Sequence, residues 1–299
     1  AGLFLVTLSP GDEVVIPAPY WVSYPEMVRL GGGKPVVVQC RSDRGLRLQP
    51  EDLERVLTSK TRYVVLNSPC NPTGVAYTQE QLRALGEVMA RVAPQAWLLC
   101  DDIYRHLVYD GFVQVSAIRA LAGITDQVIV VDGVSKSHAM TGYRIGYLAG
   151  PPNVISAAAR VQGQMTSGAA TTSQIAAQAA LSDPTCMPAV LAMREAFAAR
   201  RKLMLEELAG IPGLTVSPPQ GAFYLFLNVA AHIGADTDFS DDIALATWLL
   251  NEHLVATVPG TPFGAPGYLR WSYATDEQSL RRGVARLREA LSGLATAKR

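Results

Sequence analysis

An amide, a carboxylate, a phenol, a lysine and an arginine stand in this chain directly after short apolar runs. The run 63–66 leads into Asn67-Ser-Pro-Cys-Asn71-Pro72-Thr73-Gly74, and the run 97–100 into Asp101-Asp102-Ile103-Tyr104. The run 127–131 leads into Asp132-Gly-Val-Ser135-Lys136-Ser137, with Gly142-Tyr143-Arg144-Ile145-Gly146 close behind. A lysine can bond to an aldehyde and later carry a proton, and a carboxylate can keep a ring nitrogen protonated so that the ring accepts electrons. Amide and phenol groups can donate to a phenolic oxygen, and an arginine can grip a phosphate with two parallel hydrogen bonds. Taken together these groups are what a pyridoxal 5'-phosphate site requires. Each residue also has a plainer reading: Lys136 as a loop lysine, Asn71-Pro72-Thr73-Gly74 as a turn, and Asp101 with Asp102 as solvated acids or a helix cap.

Groups of this kind need a rigid frame, and the first half of the sequence supplies the pattern for one. Short β-rich apolar runs at 13–16, 35–39, 63–66, 97–100 and 127–131 alternate with helical patterns at 23–30, 50–57 and 78–91. Gln49-Pro50-Glu51-Asp52 puts proline and acids into a first helical turn, and Thr78-Gln79-Glu80-Gln81 has the form of a capping box. Near-continuous apolar strands separated by helices predict an α/β architecture, a mainly parallel sheet sandwiched by helices. Ligands of such sheets collect at the carboxyl ends of the strands, where the reactive residues stand. After Gly150 the pattern turns helical at 153–161, 172–181 and 187–208. Strands at 222–228, 254–258 and 268–273 and helices at 240–251 and 276–291 then predict a smaller C-terminal α+β domain. The division is placed at 1–184 and 185–299, with the long helix belonging to the second part.

Composition narrows the classes of partner. With 26 Lys plus Arg against 26 Asp plus Glu among 299 residues, the chain has no net charge to neutralise a phosphodiester backbone, and nucleic-acid binding is disfavoured. Charged residues make up 17%, below the roughly 25% usual for soluble domains, so part of the surface is expected to lie against another subunit. Cys40, Cys70, Cys100 and Cys186 form no C-x-x-C pair, and His106, His138, His232 and His253 have no ligand spacing, so no metal is expected. A reducing cytoplasm is the expected compartment. No apolar run approaches the roughly 20 residues that span a bilayer, so no membrane partner is expected. The opening AGLFLVTL lacks the basic flank of a signal peptide. It starts without Met in what reads as the last turns of a buried helix, so an N-terminal part is expected to be missing.

Six motifs resemble, in order and approximate spacing, the fold-type I aminotransferases that depend on pyridoxal 5'-phosphate, and among class I especially the bacterial aspartate aminotransferase branch. They are PGDEVVIPAPYWVSYPEM at 10–27, NPTG at 71–74, DDIY at 101–104, SKSHAMTGYRIGY at 135–147, GAFY at 221–224 and LRWSYAT at 269–275. The resemblance implies that Lys136 forms the covalent imine with the cofactor and shuttles the proton, with Asp101 beside the ring nitrogen. It implies that Asn71 and Tyr104 bond the phenolic oxygen, that Arg144 holds the phosphate with Ser135 nearby, and that Trp21 stacks on the ring, with Tyr20 as the alternative. Ser137 and Thr141 fall near the same phosphate, and Arg270, with Asn71, falls to the substrate α-carboxylate. The competing reading of Arg270 is a salt bridge to an acid of its own domain.

The sequence departs from the family at Asp102, where Glu is usual, at Cys70, where Asn is commoner and where a partly exposed thiol could be oxidised, and at Gly133, which removes a phosphate-binding serine. Gly221 to Tyr224 is expected to bring backbone close to the substrate, and Thr166-Ser167 to reach a partner subunit's site. The implied activity is transfer of an amino group between an L-amino acid and a 2-oxo acid by a ping-pong mechanism, in a homodimer with sites at the subunit interface. Aspartate and 2-oxoglutarate-like substrates are favoured. A β-lyase or related carbon-sulfur or carbon-carbon chemistry on the same fold, and a non-catalytic amino-acid-sensing domain, are the alternatives.

Overall fold

Alternation of apolar residues along the strands decides which face each one shows to which helices. In the computed structural model, which describes residues 1–235 and 237–296, the chain opens with α1 (Gly2–Thr7), β1 (Glu13–Ala18), α2 (Ser23–Leu30) and β2 (Lys34–Gln39). It continues with α3 (Pro50–Val56), β3 (Thr61–Asn67), α4 (Gln79–Val92), β4 (Trp97–Asp101), α5 (Ala117–Ala120), β5 (Val128–Gly133) and β6 (Gly146–Ala149). The strands build one sheet in the order β2-β1-β3-β4-β5-β6. All pairs are parallel except β5 with β6.

Val14, Ile16, Tyr63, Val65, Leu99 and Ile129 pack on one face of this sheet with Leu3 and Phe4 of α1 and Tyr24 and Val28 of α2. Their sequence neighbours Val15, Val64, Leu66, Leu98 and Cys100 pack on the other, against Leu53 of α3, Leu82, Leu85 and Met89 of α4 and Ala117 of α5. Both faces are therefore covered, and each fully buried aliphatic side chain contributes about 1.5–3 kcal/mol. The capping box of α4 forms as expected: the Thr78 side chain accepts from Gln81 N at 3.3 Å and the Gln81 side chain accepts from Thr78 N at 2.9 Å.

The chain then runs through α6 (Pro152–Thr166), α7 (Thr171–Ser182) and the 22-residue α8 (Met187–Leu208). The remainder comprises β7 (Thr215–Val216), β8 (Tyr224–Asn228), α9 (Asp242–His253), β9 (Val258–Pro259), β10 (Tyr268–Ser272) and α10 (Glu277–Thr296). The second sheet has the order β7-β8-β10-β9 and is antiparallel. Leu225, Leu227, Leu269 and Trp271 pack there with Met204 and Leu208 of α8, Leu245 and Leu249 of α9 and Leu287 and Leu291 of α10.

The strand expected at 254–258 shrinks to Val258–Pro259 because Leu254 closes α9 in a left-handed conformation, its N–H bonding back to Leu249 and Leu250. The edge strand β6 and the short β7 were not expected. β6 is only four residues long and mostly exposed, so burial on two faces does not mark it as it marks the central strands. Among the described residues, no helix is long and apolar enough to cross a membrane.

The carboxyl ends of β1, β3, β4 and β5 point toward the second sheet, and the loop entering β8 binds the two together. Gly221 N donates to Gly74 O at 2.9 Å and Ala222 N to Leu107 O at 2.9 Å. Gly74 has φ +68°, and a Cβ there would sit 2.4 Å from Pro219 and 2.7 Å from the Gly221 carbonyl, so the NPTG turn needs its glycine. The buried Arg201 of α8 adds an ion pair to Asp110 at 2.7 Å and a bond from Nε to Pro219 O at 2.8 Å.

Candidate active site

Between the strand ends and β8–β10 lies an open cleft of about 560 Å³. Trp21, Asn71, Asp101, Tyr104, Ser135, Lys136, Arg144 and Arg270, residues up to about 250 positions apart in the sequence, all line it, as does Thr141. The loop after β1 brings Trp21, the loop after β3 brings Asn71, the end of β4 brings Asp101 and Tyr104, and the loop after β5 brings Ser135 and Lys136. Arg270 comes from the middle of β10.

The acid end of the cleft is built around Asp101. Tyr24 donates to its Oδ2 at 2.7 Å, and Ile103 N to its Oδ1 at 3.2 Å. Burial raises its proton affinity above that of an ordinary aspartate, and Asp132 nearby adds to this, while the two hydrogen bonds oppose it. The Tyr24 hydroxyl is itself pushed well up by burial and by Asp101, so it remains a proton donor. Asn67 ties this end to Asn71: its Nδ2 donates to the Asp101 carbonyl at 2.9 Å, and its Oδ1 accepts from Asn71 N at 2.7 Å.

Cations occupy the rest. Lys136 has its pKa lowered, first by burial and then by Arg144 and Arg270, so the uncharged, nucleophilic amine is more accessible than in a free lysine. Arg144 sits at φ +57° and spends one N–H on the Thr141 carbonyl at 3.0 Å. Arg270 donates from Nη1 to Asn71 Oδ1 at 2.8 Å, and its guanidinium lies between the rings of Tyr224, at 4.6 Å, and Phe263, at 5.0 Å. Its Nε is buried without a hydrogen-bond partner. Among the described residues none of Lys136, Arg144 and Arg270 has an acid partner, and Asp101 has no cation partner. The intradomain salt bridge weighed for Arg270 does not form.

Some sequence expectations fall elsewhere. Tyr20 does not line the cleft; its ring packs over Gly264, while Trp21 faces the cleft at 36% exposure, edge-on to Tyr24. Ser137 is turned away, its buried hydroxyl 3.3 Å from Gly133 O and 2.8 Å from His138 Nδ1. The thiol of Cys70 is buried, 3.7 Å from Pro19 O, and burial pushes its pKa up to about 11, so it is not the oxidisable group its position suggested. Asp102 is buried outside the lining, its pKa raised to about 7 by burial and by Asp132 and Asp101. Thr166 and Ser167 lie exposed at the end of α6.

Gly133 has a local cause. A Cβ there would lie 2.7 Å from Ile145 O and 3.0 Å from Gly146 Cα, where β6 crosses β5. Gly133→Ser is expected to destabilise the fold by about 1–3 kcal/mol through overpacking, seen as a lower urea midpoint. An unchanged midpoint would mean that the β5–β6 pair spreads without cost.

Sequence reasoning missed Tyr24, Asn67, Asp132 and Tyr224, which also line the cleft. Asn67 and Asp132 obey the strand-end rule that found the others. Tyr24 lies three residues after Trp21, just inside α2, and its N–H donates to the Trp21 carbonyl at 3.0 Å, a turn that brings the two rings together.

Comparison with known proteins accords with this geometry. Residues 1–287 match the protein family described as Aminotransferase class I and II. The aspartate/prephenate aminotransferase of Cereibacter sphaeroides is 44% identical over 97% of this chain and 73% of its own length. The chain belongs to the class I and II aminotransferases. The crystal structure of the aspartate aminotransferase from Rhizobium meliloti superposes with a TM-score of 0.92 at 42% identity, covering 97% of this chain and 73% of that one. The aspartate aminotransferase of Thermus thermophilus, solved with maleate, gives 0.89 at 41% identity over 96% and 72%.

The protein is thus a pyridoxal 5'-phosphate-dependent aminotransferase acting on amino acids and 2-oxo acids, and its cleft suits that cofactor. A buried carboxylate without a cation partner complements a protonated ring nitrogen, and Arg144 without an acid partner complements a phosphate. Because Asn71 Oδ1 already accepts from Arg270, its Nδ2 remains as a donor for an oxygen in the cleft.

Proposed function

We propose that this aminotransferase moves an amino group between aspartate and a 2-oxo dicarboxylic acid of the 2-oxoglutarate type, by two half-reactions in one cleft. The observation that carries the amino-acid part of the reading is Arg270, a half-buried guanidinium clamped between two rings, with Nε unpartnered and, among the described residues, no acid paired with it. Such a group suits the fork of a carboxylate. The names of the relatives support the acidic substrate.

Pyridoxal 5'-phosphate, when bound, supplies a sink for the electron pair released at the substrate α-carbon. In this reading Lys136 holds the cofactor covalently and then moves the proton to and from that carbon. Asp101, steadied by Tyr24, keeps the ring nitrogen protonated. Asn71 Nδ2 and the Tyr104 hydroxyl donate to the phenolic oxygen, Arg144 and Ser135 bind the phosphate, and Trp21 covers the ring. Arg270 orients the α-carboxylate, its own plane fixed by Asn71 Oδ1.

Charged residues make up only 17% of the chain, below the roughly 25% usual for soluble domains, which suits a surface partly covered by another subunit. The proposal therefore includes a homodimer with the cleft at its interface, and Tyr143, Tyr147, Met165 and Ile175 form exposed apolar surface around β6, α6 and α7 for such contact. Residues 1–184 serve as the cofactor-holding unit and 185–299 as the smaller one, of which 236 and 297–299 lie outside the described residues. The cytoplasm, where the cysteines stay reduced, is the proposed compartment.

The test is the visible spectrum of the purified protein loaded with pyridoxal 5'-phosphate. Aspartate is expected to convert the cofactor band to the pyridoxamine form at least about tenfold faster than alanine or an aromatic amino acid, the equivalent of 1.4 kcal/mol. Adding 2-oxoglutarate should then restore the band. A faster conversion by the aromatic amino acid would overturn the acidic preference, and a band that no amino acid converts would overturn transamination.

A further inference from the structure

In the cleft wall, between the groups assigned to the cofactor and those assigned to the substrate, two tyrosine hydroxyls meet. The oxygens of Tyr104 and Tyr224 are 2.9 Å apart, either able to donate, and both side chains are buried and line the cleft. Burial pushes both phenols above their usual range, so each keeps its proton. One contact between two hydroxyls uses one proton and leaves the other free. When Tyr224 donates, the free proton is that of Tyr104 and can meet an acceptor in the cleft; when Tyr104 donates, its proton is spent on Tyr224.

The other side of Tyr224 carries Arg270, whose guanidinium carbon stands 4.6 Å over its ring. Register explains the contact: Arg270 pairs with Phe226 and Ser272 with Tyr224, so Tyr224 and Arg270 are diagonal neighbours across β8 and β10. The base is rigid. Just before Tyr224, Ala222 is held at φ +59° with its carbonyl accepting from the hydroxyls of both Tyr109 and Tyr273, and Tyr273 N donates to Phe223 O at 3.0 Å.

We propose that Tyr224 is a positioning residue that joins the two ends of the cleft: its hydroxyl donates to Tyr104 and turns the Tyr104 proton into the cleft, while its ring supports Arg270. The inference rests on the roles given above to Tyr104 and Arg270. It makes Tyr104 a stronger donor, because a hydroxyl that accepts a hydrogen bond donates a better one. It also means that hydroxyl and ring have separable effects.

The experiment reads the pH midpoint of the visible band in the cofactor-loaded protein, together with the binding of maleate detected by the same band. Tyr224→Phe keeps the ring and is expected to raise the midpoint by about 0.5–1 pH unit, since the hydrogen bond that supports Tyr104 as donor to the phenolic oxygen is lost. Tyr104→Phe should raise it further, and the double variant should match Tyr104→Phe, because Tyr224 acts through Tyr104. Tyr224→Leu should bind maleate roughly threefold to tenfold more weakly than Tyr224→Phe, through loss of the ring under Arg270.

A midpoint moved by Tyr104→Phe but not by Tyr224→Phe overturns the inference and leaves the role of Tyr104 standing. Midpoints unmoved in both overturn that role and the inference with it. Equal maleate affinity in Tyr224→Leu and Tyr224→Phe overturns the part assigned to the ring.

Discussion

Replacing Lys136 with alanine is expected to reduce turnover by on the order of 10⁴-fold or more and to abolish covalent capture of pyridoxal 5'-phosphate, because one amine serves as both nucleophile and proton carrier. The environment suits both tasks. Burial and the neighbouring Arg144 and Arg270 lower the affinity of Lys136 for its proton, so the uncharged amine appears at lower pH than the usual lysine range. The rate of cofactor capture should therefore rise with pH and level off below that range, and Arg270→Ala, by removing a cation, should move the midpoint upward.

The covalent claim is checked by borohydride reduction of the loaded protein followed by peptide mapping. Label on the peptide containing Lys136 is the expected result, with none in Lys136→Ala. A label that persists on another lysine of the variant would sink the assignment. Asp101, Arg144 and the donors around Asn71 are untouched by the substitution, so the variant should still bind the cofactor without the covalent link.

The frame was legible in the sequence because its strands are buried on both faces. A strand such as 63–66 must be apolar at successive positions when Tyr63 and Val65 face one layer of helices and Val64 and Leu66 the other. That run is visible without any structure, and the residue just after it is where chemistry is positioned. β6 was not expected for a different reason: Ile145 to Ala149 is apolar too, but the strand is only four residues long and pairs on one side, at the sheet edge. The strand expected at 254–258 failed because a local requirement, closing α9 at Leu254, outweighed its β-rich composition.

Within the site, what could be read was residue type and place along the chain, and what could not was direction. Asn67, Asp132 and Tyr224 all stand inside motifs read from the sequence, yet only the fold reveals that Asn67 braces Asn71 and that Tyr224 meets Tyr104, 120 positions away in the sequence. Ser137 shows the opposite error. Next to Lys136 in sequence, it points its hydroxyl back to Gly133 O and to His138, because the turn after β5 sends successive side chains to different sides.

Arg270→Ala is expected to lower kcat/KM for the amino acid by about 10²- to 10³-fold, chiefly through KM, while cofactor affinity changes little. The argument begins with what holds the guanidinium. Tyr224 and Phe263 fix its plane and Asn71 Oδ1 takes one N–H, so its rotamer entropy is already lost before substrate arrives and a carboxylate meets a preorganised fork. Removing one partner of a buried charge pair costs about 2–5 kcal/mol, and each 1.4 kcal/mol is tenfold. Lysine should not rescue, since an ammonium cannot fork a carboxylate or fill the space between two rings. The decisive comparison is an amino acid against its amine analogue lacking the α-carboxylate: the wild type should prefer the amino acid strongly, and Arg270→Ala should have lost most of that preference. If the variant keeps it, the α-carboxylate is held elsewhere and Arg270 is a structural cation whose role ends at Asn71.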